Sequence, residues 1–268
     1  MSNIPDFEPD FASPSDWAEM YRSLGLQVVP AKTHREDPTS WKRPALPEWR
    51  DYLNTSVSDI IFAAWYGKHG EHANRTNMGL ITGACSGGVF VIDLDLYKNV
   101  GAQAWWDEMI NRQQKAGELE TAEQITGGGG IQRFYRAPPG WVPPTCTTSI
   151  GIDIRGQGGF AMMPPSMHES GNTYRWRDGY EPWNMEFVEA PIWLCDEIDR
   201  LARDYAGHSS SRGSKHRTTS SDHQTNAFGR RVDGREEHMA KMIWAAVVRL
   251  YRESPIKPIP AASDDEMY

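Results

Sequence analysis

Four apolar residues, Val89-Phe90-Val91-Ile92, run straight into Asp93-Leu94-Asp95. No other segment constrains the fold as much. A continuous apolar run bounded by Gly87-Gly88 reads as a strand buried within a sheet. Two carboxylates then leave its end, and a strand's period of two points both to one face. Like charges at that spacing repel unless a cation lies between them, which makes the pair a candidate hard-metal site. The competing reading is that Asp-X-Asp only caps the next turn.

A second strand carries the same problem. In Ile150-Gly151-Ile152-Asp153-Ile154-Arg155-Gly156 one aspartate stands among isoleucines. Burying a lone carboxylate is costly, so Asp153 needs a partner. That partner is either a cation shared with Asp93 and Asp95 or the guanidinium of Arg155. A third feature is Thr126 followed by four glycines, 127–130, leading into the strand Ile131–Arg136. Backbone without side chains can approach phosphate closely and offer its N–H groups, although such turns also arise for steric reasons. Alternation along that strand puts Gln132, Phe134 and Arg136 on one face, and Ile131, Arg133 and Tyr135 on the other.

The rest of the chain alternates helices with short strands, an α+β pattern. Ser13-Pro14-Ser15-Asp16 starts a helix carrying Trp17, Met20, Tyr21 and Leu24 at helical spacing. Ser56 with Asp59 opens a second, with Ile60, Ala63 and Ala64 on its apolar face. Residues 101–116 form a third, with Ala104, Trp105, Met109 and Ile110 inward. Pro191 to Tyr205 forms a fourth. Further strands are expected at 26–29, 78–81, 160–163 and 173–176. The expected domain boundaries are an acidic N-terminal tail over 1–13, a catalytic body over 14–206, a Ser/Thr-rich linker over 207–226 and a helical element over 227–268.

Several functional classes fall away. No apolar run approaches the length of a bilayer span. The first sixteen residues hold four acids and no base, unlike a secretory signal. Three widely spaced cysteines fit a reducing, cytoplasmic setting rather than a disulfide framework. Neither G-x-x-x-x-G-K-[ST] nor G-x-G-x-x-G occurs, and no G-x-S-x-G. His69 and His72 stand at metal-pair spacing but near no cysteine pair, and read as solvated. The net charge of −8 neither supports nor excludes a nucleic-acid partner. Six bases against two acids between residues 206 and 235 leave room for a local basic stretch.

In order along the chain, these pieces resemble the prim-pol domain of the archaeo-eukaryotic primase superfamily, found in phage and plasmid helicase–primase replication proteins. The resemblance spans roughly residues 14–197. It rests on Trp17 to Pro30, Lys42-Arg43-Pro44 with Trp49, and Asn77 to Gly83. It continues through Asp93-Leu94-Asp95, Thr126 to Tyr135, and Gly151 to Gly156 followed by Gly158-Gly159-Phe160 and Pro164-Pro165-Ser166-Met167-His168. It implies a primase-like core, an RRM-like sheet with a second small α/β module, followed by the C-terminal helical element. It further implies primer synthesis and extension on single-stranded DNA from nucleoside triphosphates, in a bacterial cytoplasm, beside a fused or associated replicative helicase. Asp93, Asp95 and Asp153 would then bind two Mg²⁺ or Mn²⁺ ions. Gly129, Gly130, Gln132, Arg133, Arg155, Ser166 and His168 would hold the nucleotide. Gln132 stands where the family usually has histidine, which puts phosphate binding there in doubt: an amide can donate to phosphate but carries no charge. Two alternatives stay open, a non-catalytic nucleic-acid binder and a metal-dependent phosphodiesterase.

Overall fold

The computed structural model of the protein describes residues 7–96, 100–113 and 119–206. The expected linker and C-terminal helical element lie outside the described residues. Within them, the chain is mixed helix and sheet. The helices are α1 (Pro14–Ser23), α2 (Asp59–Tyr66), α3 (Val100–Gln113) and α4 (Ile192–Ala206). The strands are β1 (Val28–Pro30), β2 (Met78–Ile81), β3 (Val89–Leu94), β4 (Glu123–Ile125), β5 (Ile131–Arg136), β6 (Cys146–Thr147), β7 (Ile152–Arg155), β8 (Phe160–Met163) and β9 (Arg175–Trp176). They form a six-stranded sheet ordered β6-β7-β3-β5-β4-β9 and a three-stranded sheet ordered β1-β2-β8. All the pairings within both sheets are antiparallel.

The apolar run at Val89 occupies an interior strand of the larger sheet, β3, and its side chains divide between two cores. Phe90, Ile92 and Leu94 pack with Ile152, Ile154 and Tyr135 against α3 and α4, through Trp105, Trp106, Leu194 and Ile198. Val89 and Val91 face the other way, packing with Phe134 and Trp176 against the smaller sheet and α1 and α2. A strand covered on both faces has to be apolar throughout, which accounts for the unbroken run. Asp93 is the exception, and it lies at the end of the second face, where cover runs out.

Local signals explain the helix starts. Ser13 caps α1 with Asp16 as its reciprocal partner, and Pro14 sits in the first turn. The second helix corrects the sequence reading. Its cap is Ser58 rather than Ser56, and Phe62, Trp65 and Tyr66 are its buried side chains. Ile60, expected inward, is 83% exposed. Three aromatic residues bury more apolar surface than Ile60 and the alanines could, so they set the rotation of the helix. On α3, likewise, Ala102 and Trp106 are buried in place of the expected Ala104. Phe7, in the stretch expected to be a tail, packs against Trp17 and Trp183.

Candidate active site

The register of the larger sheet builds the site. On β3, Asp93 stands directly opposite Asp153 of β7 on one side and Gln132 of β5 on the other. The row continues to Thr147 of β6, and to Gln124 of β4 and Trp176 of β9. Residues directly opposite in antiparallel strands share a face, with Cβ atoms about 4.5–5.5 Å apart. The expected strand alternation is met. Ile152 and Ile154 enter the helical core, while Asp153 and Arg155 face the other way. Asp95 lies one residue past the end of β3, its backbone N–H donating to the Gly151 carbonyl at 2.8 Å.

This row opens into a cleft of about 610 Å³ whose walls include Asp93, Asp95, Asp153, Gln132, Arg155 and His168. Phe160, Ala161 and Met162 of β8 form the facing wall. The glycine turn borders the cleft through Gly128 and Gly130, while Gly129, at φ 85°, lines a neighbouring groove with Arg175. Close approach dictates the glycines here. A Cβ at Gly127 would lie 2.2 Å from the His168 Cβ, and one at Gly130 would lie 2.8 Å from the Leu94 carbonyl oxygen. The turn thus holds His168 and the end of β3 near the carboxylates.

Charge in the cleft is poorly solvated. Burial pushes the Asp93 carboxyl from 3.8 up to about 6, against the pull of Arg155 and of the Gln132 hydrogen bond. Burial also raises Asp153, again opposed by Arg155. The Arg155 guanidinium donates to the Asp153 Oδ2 at 2.6 Å. The Gln132 amide donates to the Asp93 Oδ2 at 2.8 Å. Among the described residues, no three His, Cys, Asp or Glu side chains stand close enough together to hold a metal ion. The expected three-carboxylate cluster is therefore gathered in one cleft but not closed. The donor set still suits divalent cations, being all hard carboxylate oxygens. The raised Asp93 shows buried negative charge that a cation would offset.

The family model for the N-terminal domain of bifunctional DNA primase/polymerases, Prim-Pol, matches residues 18–193. The chain belongs to the Prim-Pol family. No curated protein matches it. The match covers all the carboxylates and the glycine turn, and it places the protein among families of DNA replication. No helix among the described residues is long and apolar enough to cross a membrane.

Three expected nucleotide contacts of this Prim-Pol domain are not brought to the cleft: Gly129, which lines the neighbouring groove, Arg133 and Ser166. Arg133 points to the opposite face of β5 from Gln132, where it pairs with Glu123 at 2.9 Å and stacks over Trp106 at 4.1 Å. Ser166 is fully buried, accepting from the Met78 N–H at 3.0 Å and donating to the Met78 carbonyl at 2.9 Å. It fastens the loop after β8 to β2. Replacing Ser166 by alanine strands that N–H and carbonyl, so Ser166→Ala should cost about 1–3 kcal/mol of stability in denaturant unfolding. The nucleotide KM should stay unchanged, and a raised KM would return Ser166 to the site.

The structure also adds residues that the sequence reading left out. Lys42 lines the cleft, and its charge helps to draw the Asp93 carboxyl down. Its signal was present in the Lys42-Arg43-Pro44 loop. Gln124 had no signal. It lies on a three-residue strand whose burial depends on neighbours distant in sequence.

Proposed function

We propose that this chain is a primase-polymerase that starts primers on single-stranded DNA and extends them by nucleotidyl transfer from nucleoside triphosphates. One observation carries the reading. Asp93 and Asp153 are direct cross-strand neighbours, and Asp95 opens into the same cleft as Arg155, Lys42 and the glycine turn. Carboxylates beside basic groups and close-approach backbone suit a substrate that is itself a metal-bound polyphosphate.

Asp93, Asp95 and Asp153 would hold two Mg²⁺ or Mn²⁺ ions. Such ions lower the pKa of an attacking 3′-hydroxyl and offset charge on the triphosphate and departing pyrophosphate. The chain's own groups then position the substrate. Arg155, two residues along from Asp153 on the same face, can exchange its carboxylate for phosphate oxygens. Lys42 and His168 flank the same space. The Gly128 and Gly130 backbone lets the triphosphate approach without a Cβ in the way. These contacts hold the α-phosphorus in line for the hydroxyl, and orientation of this kind supplies much of the acceleration in phosphoryl transfer. None of them reads base edges, so the template's pairing selects the nucleotide. A replicative helicase, fused or associated, is the partner that this reading implies.

The test is synthesis on an unprimed single-stranded template, with ribo- and deoxynucleoside triphosphates supplied separately. Product should require Mg²⁺ or Mn²⁺ and vanish in Asp93→Ala. Release of nucleotides from DNA without added triphosphates would instead identify a phosphodiesterase. DNA binding with no synthesis would leave a non-catalytic binder.

A further inference from the structure

Behind Asp93 runs a chain of two buried amides. Gln124 is fully buried and Gln132 is 5% exposed, and they oppose each other across β4 and β5. The Gln124 Nε2 donates to the Met162 carbonyl at 2.7 Å and also to the Gln132 Oε1. The Gln132 Nε2 then donates to the Asp93 Oδ2 at 2.8 Å.

The direction of this chain is forced from its far end. The Met162 carbonyl can only accept, so the Gln124 atom facing it must be the nitrogen. The Gln132 atom that takes a second hydrogen from that nitrogen must be its oxygen, which leaves the Gln132 nitrogen toward Asp93. Reversing either amide would set oxygen against oxygen. The arrangement has a cost that packing alone does not require. The Gln124 Oε1 is buried without a hydrogen-bond partner among the described residues, and an orphaned acceptor of this kind is uncommon in a native core. Met162 matters for a second reason. It lies on β8, an edge strand of the smaller sheet, and β8 is the wall of the cleft facing the carboxylates. The two amides thus tie one wall of the cleft to the carboxylate on the other.

We infer that Gln124, which does not reach the cleft, is a positioning residue that acts through Gln132 to hold the Asp93 carboxylate in its cation-binding orientation. This rests on the primase-polymerase reading of the same site. It gives Gln132 a task other than phosphate binding, since both ends of its amide are engaged within the protein.

The test is a double-mutant cycle on the full chain, with Mn²⁺ affinity measured by calorimetry in the absence of nucleotide. Outer partners of metal ligands typically contribute tenfold or more to affinity, so Gln124→Leu and Gln132→Leu should each weaken Mn²⁺ binding by about tenfold. If Gln124 acts through Gln132, the double variant should be no weaker than Gln132→Leu alone. In primer extension, the rate lost in Gln124→Leu should return largely at high Mn²⁺, with nucleotide KM unchanged. Additive losses in the cycle would overturn the proposal. So would wild-type Mn²⁺ affinity accompanied only by a lower melting temperature. Should Gln124→Leu fail to fold, Gln124→Met keeps an unbranched side chain, removes the same donor and carries the same outcomes. Asp93→Ala separates the two levels. If it leaves Mn²⁺ binding and synthesis intact, the reading of the site itself fails; if it abolishes both while the glutamine variants behave as wild type, only the relay fails.

Discussion

Replacing Asp93 by asparagine should abolish primer synthesis and, at the same time, make the metal-free protein more stable. The first half follows from losing a carboxylate that holds the ions, and a fall of at least about 10³-fold in rate is expected. The second half follows from the raised carboxyl. In the folded protein Asp93 titrates at about 6, against 3.8 for an ordinary aspartate. A group with a raised acid pKa binds its proton more tightly when folded, so stability from this group is greatest below pH ~4 and is lost as pH rises through 6. At pH 8 the full cost is present, about 2–3 kcal/mol before allowance for solvent in the open cleft. Asparagine removes that cost. It also keeps an oxygen to accept from Gln132 and turns an amide rather than a carboxylate toward Asp153. A melting temperature raised by roughly 4–10 °C at pH 8, shrinking toward nothing at pH 4, is the expected signature. Mn²⁺ should stabilise the wild type and leave Asp93→Asn unmoved. A variant less stable than wild type at pH 8 would show that Asp93 is structural.

Arg155→Leu should separate nucleotide binding from metal binding in opposite directions. The guanidinium now holds Asp153 at 2.6 Å, so it competes with a cation for that carboxylate. Without it, Mn²⁺ affinity at pH 8 should be retained or tightened. The nucleotide KM should rise roughly 10- to 100-fold, the worth of one or two charged hydrogen bonds to phosphate. Lowering the pH reverses the first effect. Arg155 is the leading influence that pulls Asp93 and Asp153 down, so its loss raises both, and protons displace the cation sooner. Mn²⁺ binding at pH 6 should therefore be weaker than in wild type. An unchanged KM would place the triphosphate elsewhere, against Lys42 or His168.

Much of this protein can be read without a fold. The Ser13 capping box, the buried strand at Val89 and the alternation of Ile152, Asp153 and Ile154 are local patterns, set by backbone geometry within a few residues. The glycine turn is equally plain, and the ordered series of motifs leads to the family that the comparison found. Alternation even separated Arg133 from Gln132, since neighbouring strand residues cannot share a face. It could not say which face was the cleft. On α2 and α3 several apolar residues compete for burial, and the packing of aromatic side chains chooses among them.

What the sequence determined by itself was which segments are strands, which carry carboxylates, and where the backbone could approach phosphate. Tertiary structure decided their alignment. Asp153 meets Asp93 only because β7 pairs with β3 in one register, and a slip by one residue would send every side chain on β7 to the other face. That register is held by two cores on opposite sides of the sheet, assembled from segments far apart in the chain. Gln124 became visible last, because its role depends on a carbonyl of the other sheet. A hydrogen bond between residues distant in sequence leaves no period or spacing to be read, and only the folded chain sets its direction.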